Sequence, residues 1–261
     1  MWSAQEVQNY CKWLESERGQ FILSQEKKLL AHLISTWPRK KQSLIDLGCG
    51  PGSFLNFFSQ TGFEVMGVDK NPYMLKAARK TTKDKIPLAL ADLSSLPFSE
   101  NEFDFGAILL VLEFVDQPEI ILEEAKRIVK KGLLIAFLNK YSFYYWQKKV
   151  FAPANSPLAK AKWFSWPQMK KIILHNVSPY SYYARSVLPG PTVIWQNKIW
   201  TKPIHSLFYP PWLGSFIGVR ADILKTANLT NPVLVYEPKP LAQQNVYCPT
   251  SRSKLQGPEA N

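Results

Sequence analysis

Between Ser43 and Leu138, five short apolar runs alternate with stretches long enough for helices, and this alternation restricts the chain more than any other feature. Ser43–Leu47, Glu64–Val68, Leu88–Ala91, Phe103–Leu110 and Leu133–Leu138 are too short for helices and read as buried strands. Ser53–Gln60, Pro72 to about Lys80, and Pro118–Val129 read as helices. Pro72 suits a first helical turn, where its missing N–H is not needed. The last helix carries Glu119, Glu123 and Glu124 early and Lys126, Arg127 and Lys130 late, as the helix dipole favours. Strands alternating with helices imply a doubly wound, mostly parallel α/β sheet. Ligands of such sheets sit at the carboxyl ends of the strands. Asp46, Asp69, Asp92 and Asn139 fall there.

Outside this stretch the pattern is weaker. Val7–Ile34 has helical spacing, with Gly19 expected to break it into two helices. Trp37-Pro38 and Arg39-Lys40-Lys41 form a connector. Ser165–Asn176 reads as a helix capped by Ser165, and Tyr182–Leu188 and Phe216–Val219 as two late strands. The expected organisation is an N-terminal helical lid over 1–42 and an α/β domain over 43–237. That domain carries an aromatic-rich insertion at about 189–214, and a partly disordered tail follows over 238–261. No run approaches the roughly 18 apolar residues that cross a bilayer. Three cysteines at wide spacing, Cys11, Cys49 and Cys248, suit neither a disulfide framework nor a Cys-rich zinc site. Their number fits a reducing cytoplasm, and no metal is expected.

The first strand enters Gly48-Cys49-Gly50-Pro51-Gly52. Glycines let a backbone approach a ligand, and the following helix offers free N–H groups. The spacing departs from a dinucleotide fingerprint, whose third small residue would fall at Ser53. Asp46, two residues before the first glycine, would repel a pyrophosphate and favour a cofactor with a positive amino group, as in S-adenosylmethionine. Asp69 can accept both hydroxyls of a ribose, and Asp92 can take an adenine amino group.

Leu44-Ile45-Asp46-Leu47-Gly48-Cys49-Gly50-Pro51-Gly52-Ser53-Phe54 resembles the first motif of the class I S-adenosylmethionine-dependent methyltransferases, of the type 11-like kind. Val65-Met66-Gly67-Val68-Asp69, followed by Met74-Leu75, resembles the second. Ala91-Asp92-Leu93, Leu96-Pro97-Phe98, Phe103-Asp104 and Val111-Leu112-Glu113-Phe114-Val115 continue the series. The resemblance implies a seven-stranded sheet with a reversed last strand and methyl transfer as the activity. It also implies cofactor contacts at Asp46, Gly48, Cys49, Gly50, Gly52, Asp69, Lys70, Met74, Asp92, Leu93, Leu109 and Leu110. Two positions depart from the family pattern. Lys130-Lys131-Gly132 stands for a longer turn before the fifth strand, and Glu113 occupies a position that is often His.

For the acceptor, Glu113, Tyr141 and His205 are the candidate catalytic groups, each with a plainer reading. Glu113 is as readily a solvated helix residue, Tyr141 a turn residue beside Asn139, and His205 part of the Pro/Trp-rich insertion. His32 reads as a packed histidine and His175 as a helix-end residue. The net charge of +12 lies wholly beyond residue 135. That half has 15 Lys+Arg against Asp222, Glu237 and Glu259, and 21 of the 35 aromatics. The favoured reading is a cytoplasmic enzyme methylating an oxygen or carbon of a small, amphipathic or lipid-like acceptor, with peripheral contact to an anionic membrane conceivable. The alternatives are an RNA or protein methyltransferase that grips its substrate with the basic aromatic half, and a non-catalytic S-adenosylmethionine-binding protein.

Overall fold

The computed structural model describes residues 2–151, 161–196 and 198–223; the expected tail at 238–261 lies outside them. Two helices open the chain, α1 (Ala4–Glu15) and α2 (Glu17–Leu33). Then follow β1 (Ser43–Leu47), α3 (Leu55–Gln60), β2 (Glu64–Asp69), α4 (Pro72–Thr82), β3 (Leu88–Leu90) and β4 (Phe103–Leu109). The second half holds α5 (Pro118–Ile128), β5 (Val129–Leu138), α6 (Phe143–Phe151), α7 (Trp166–Asn176), β6 (Ser181–Pro189), α8 (Lys202–Ser206) and β7 (Gly214–Asp222).

The strands form one sheet in the order β3-β2-β1-β4-β5-β7-β6. The first five are parallel, and β7 runs antiparallel to both β5 and β6. The winding reverses between β1 and β4, which opens a crevice above their carboxyl ends. Alternation along the strands feeds two cores. Leu44, Phe105 and Leu134 join α2, α3 and α4 on one face, while Ile45, Ile108 and Ile135 join α5 and α7 on the other. Phe103 breaks the alternation because a register shift separates it from Phe105.

The structure moves several expected boundaries. The break in the N-terminal helices is at Ser16, whose side chain accepts the Gly19 N–H and caps α2. Gly19 lies inside α2 and serves close approach, since a Cβ there would sit 2.1 Å from the Trp13 carbonyl. Lys130-Lys131-Gly132 is not a turn, because these residues already belong to β5, with Gly132 paired to both Phe105 and Asp222. Within 189–214 the chain forms short 3₁₀ turns at Thr192–Ile194 and Ile199–Thr201 and the five-residue α8. Helix α6, absent from the sequence reading, is aromatic on nearly every side, which hides its period.

Trp37 fastens the amino-terminal edge of the sheet. It is buried, stacks on Phe105 at 4.3 Å between ring centroids, and donates from Nε1 to Asp222 Oδ1 at 2.8 Å. Arg220 Nε holds the same carboxylate at 2.9 Å. Trp37→Ala removes the stacking, opens a cavity and takes away one of the hydrogen bonds to Asp222, so urea denaturation should show a loss of about 3–5 kcal/mol.

Candidate functional site

The turn after β1 is shaped by close contact with the end of β4. Gly48 has φ +78°, and a Cβ there would lie 2.5 Å from Val111 Cγ2, so only glycine fits both the conformation and the space. The Gly48 and Cys49 N–H groups donate to the Val68 carbonyl at 2.7 and 2.9 Å, which ties the turn to β2. At the end of β2, Asp69 accepts the Gly50 N–H on Oδ2 at 2.9 Å and the Asn71 N–H on Oδ1 at 2.8 Å. Asn71 caps α4 through Tyr73 and reaches the Trp2 carbonyl at 2.8 Å, fixing the N-terminal segment to the strand ends.

A cavity of about 660 Å³ opens at this edge. One end is lined by Asp46, Gly48, Cys49, Gly50, Asp69, Lys70, Met74, Asp92, Leu93, Leu109 and Leu110. These are the expected cofactor positions with one omission: Gly52 does not line it, because its φ of +82° serves packing of the turn on Ala78. Gly50 leaves space, since a Cβ there would meet only Met74 Sδ, at 4.0 Å. Asp46 is 1% exposed, with Oδ2 lacking a hydrogen-bond partner. Burial pushes its carboxyl up to about 8, and the Asp69 charge adds to the push. Asp92 is exposed and held by Ser94, which lowers its pKa.

The other end is aromatic and acidic. Helix α1 places Glu6, Tyr10 and Trp13 on one face, toward the cavity, and Tyr10 stacks on Trp13 at 5.9 Å. Tyr144 of α6 and Trp195 of the insertion meet at 5.0 Å on another wall. Glu113 follows β4 in a 3₁₀ turn and is 1% exposed, not solvated. Its Oε1 accepts the Leu138 N–H at 2.6 Å, while Oε2 is unpartnered. Burial lifts this carboxyl to about 7, against the Leu138 hydrogen bond. Glu26, on α2, lines the same space. Burial raises it to about 8, with the Glu113 charge contributing and the Lys27 charge opposing.

The other candidates lie elsewhere. Tyr141 is exposed and does not line the cavity; its N–H binds Asn139 Oδ1, as turn chemistry requires. Asn139 is structural, donating to the Trp212 and Gly214 carbonyls. His205 is buried outside the cavity lining, with Nε2 2.9 Å from the Ile194 carbonyl and its ring edge-on to Phe21. His32 is packed on Phe208 at 4.4 Å.

Residues 45–137 match the model of a family described as a methyltransferase domain. These residues form a class I methyltransferase domain. Over 139 residues the chain is 33% identical to an uncharacterized protein of Methanocaldococcus jannaschii, covering 52% of this chain and 61% of that one. Over 98 residues it is 33% identical to a malonyl-[acyl-carrier protein] O-methyltransferase of Hamiltonella defensa, covering 38% of each. The chain therefore spans less than two thirds of the length of either relative. A Thermotoga maritima structure described as a SAM-dependent methyltransferase, possible histamine N-methyltransferase, superposes with a TM-score of 0.66. It covers 85% of this chain and 97% of that one at 19% identity, which shows a shared fold.

Sequence reasoning missed Glu26, Tyr10, Tyr144 and Trp195, because they lie outside the stretch 45–137 that carries the motifs. The one available signal was Glu26 itself, an acid on the otherwise apolar face formed by Ile22, Leu29 and Leu30.

Glu26, Asp46 and Glu113 hold their protons more tightly in the fold than in the unfolded chain, where carboxyls titrate near 4. Their stabilising contribution is complete below about pH 4 and is lost as the pH rises through about 7 to 8. Calorimetric Tm of the protein without added ligand should be lower at pH 8.5 than at pH 5, and Asp46→Asn should narrow the gap. A gap unchanged in the variant would refute this account of Asp46.

Proposed function

We propose that this chain transfers a methyl group from S-adenosylmethionine to a small molecule held in the aromatic end of the cavity. The observation that carries the reading is the convergence of Asp46, Asp69 and Asp92, from three neighbouring strand ends, around the open space at Gly50. The unpartnered Asp46 oxygen suits the cofactor's ammonium group. Asp69 keeps acceptor capacity for ribose hydroxyls beyond its two backbone bonds. Asp92 and Leu93 suit the adenine. The cofactor supplies a methyl group already activated on a sulfonium.

The chain's own task is to align the acceptor and exclude water. Helix α1 acts as a lid, placing Tyr10 and Trp13 along the cavity, with Trp2 just before it. An acceptor atom that sheds a proton needs a base, and Glu113 is placed for this: Leu138 fixes one oxygen and the other is free. The oxygen and carbon acceptors favoured by the sequence belong to this group. An RNA acceptor is disfavoured, because a polyanion would meet an acid-lined cavity.

Titration calorimetry with S-adenosylmethionine and S-adenosylhomocysteine tests the reading. One-site binding is expected, weakened at least about tenfold in Asp69→Ala and Asp92→Ala. Absence of binding by either ligand to folded protein would overturn it.

The outer side of α6 favours a further element of the reading, an amphipathic acceptor reached from a membrane surface. Phe143, Trp146 and Val150 recur at helical spacing and are exposed, as is Tyr141, and Lys140 and Lys149 accompany them. Apolar and aromatic side chains accompanied by lysines suit an anionic bilayer. Cosedimentation should show binding to vesicles containing phosphatidylglycerol and less to phosphatidylcholine alone, reduced by Phe143→Ser/Trp146→Ser. Equal sedimentation of the native and double-variant proteins would sink this element alone.

A further inference from the structure

The chain has a net charge of +12, yet its cavity is lined among the described residues by seven acids and three lysines. The basic surplus is therefore not directed inward. Two of the lysines are already engaged. Lys162 pairs with Asp116 at 3.2 Å, and Lys148 lies over the Tyr144 ring at 5.4 Å with its charge disfavoured by burial. The third, Lys70, is exposed beside Asp69 at the cofactor end. Glu26 and Glu113, 6% and 1% exposed, take part in no ion pair among the described residues. Lys27, the neighbouring cation on α2, is half-buried, and burial disfavours its charge as well.

Two buried acids facing one space repel each other and lack solvation. Burial therefore pushes both toward the neutral form, and a neutral hydroxyl would leave them there, whereas a cation would favour the charged form of both. The walls fit the same ligand. Tyr10, Tyr144 and Trp195 offer ring faces that attract cations. Ser215 Oγ, buried and unpartnered in the same lining, adds an acceptor for an N–H. Ile22, Leu188 and Phe216 supply an apolar wall for the rest of the molecule.

We propose that the aromatic end of the cavity is a site for a protonated amine with an apolar body, its ammonium group facing Glu26 and Glu113. The proposal rests on the methyltransferase reading above and puts a nitrogen acceptor in place of the oxygen or carbon that the sequence favoured. An ammonium nitrogen has no lone pair to attack with. Transfer of one proton to Glu113 Oε2 breaks an N–H bond, leaves the electron pair on nitrogen and makes the carboxyl neutral. Desolvation by the aromatic walls works against the ammonium form and so assists that transfer, against the pull of the two carboxylates. Glu26, beside the site, is a positioning residue for the cationic form.

The test is calorimetry at pH 8.5 on the 261-residue chain saturated with S-adenosylhomocysteine. The probes are 2-phenylethylamine and hexylamine, each beside its matched alcohol, 2-phenylethanol and hexanol. The expected result is that at least one amine binds tenfold or more tightly than its alcohol. That preference should be lost in Glu26→Gln and in Glu113→Gln variants that still bind S-adenosylhomocysteine. Alcohols binding as well as amines, no binding by any probe, or an amine preference that survives both substitutions would overturn the proposal. The amine-to-alcohol contrast in the unmutated protein decides the matter even where a variant does not fold. Failure to bind S-adenosylhomocysteine would instead strike the methyltransferase reading itself.

Discussion

Keeping carboxyl groups in a dry crevice without counter-ions is unfavourable, and the rest of this structure makes it possible. Asp46, Glu26 and Glu113 are all nearly inaccessible, and all are pushed toward their protonated forms. The free energy that holds them there comes from the apolar layers on both sheet faces, not from local pairing. Such unsatisfied groups persist in folded proteins mainly where a ligand completes them.

The crevice exists because the strand order reverses between β1 and β4. Contact of Gly48 with Val111 then closes its floor and sets Glu113 across from the glycine turn. At that point the chain has used only its methyltransferase domain. The second wall is recruited from distant segments: α1 and α2 from before the domain, α6 and the insertion from after it. Lys28 of α2, donating to the carbonyls of His205 and Ser206, helps join the two groups. One domain can in this way be paired with a second wall drawn from other parts of the chain.

The charge distribution changes meaning once the fold is known. As a sequence, the basic second half suggests an anionic partner. In the structure that half contributes Tyr144, Trp195 and Ser215 to the cavity, together with Lys148 and Lys162, each already engaged. The acids come from the electrically balanced first half. Surface and cavity thus carry opposite signs, which separates what the protein attracts at a distance from what it admits.

The sequence by itself determined the sheet and its glycine turn. Apolar runs of strand length, Asp46, Asp69 and Asp92 at their ends, and Gly48-Cys49-Gly50 between strand and helix are local patterns, and local patterns are readable without contacts. Ser43–Leu47 was legible to the residue, and the other parallel strands to within a few positions. Helix α6 was not, since its aromatic residues face several directions at once. Only the tertiary structure decided which side chains share the aromatic end of the cavity. It buried Glu113, which sequence reading left as readily solvated, set Tyr141 outside and enclosed His205 elsewhere. It brought Glu26 from α2 to the same cavity. Glu26 and Glu113 stand 87 positions apart in the chain, and no periodicity spans that distance. Their meeting depends on α2 packing across β6 and β7, a consequence of global packing.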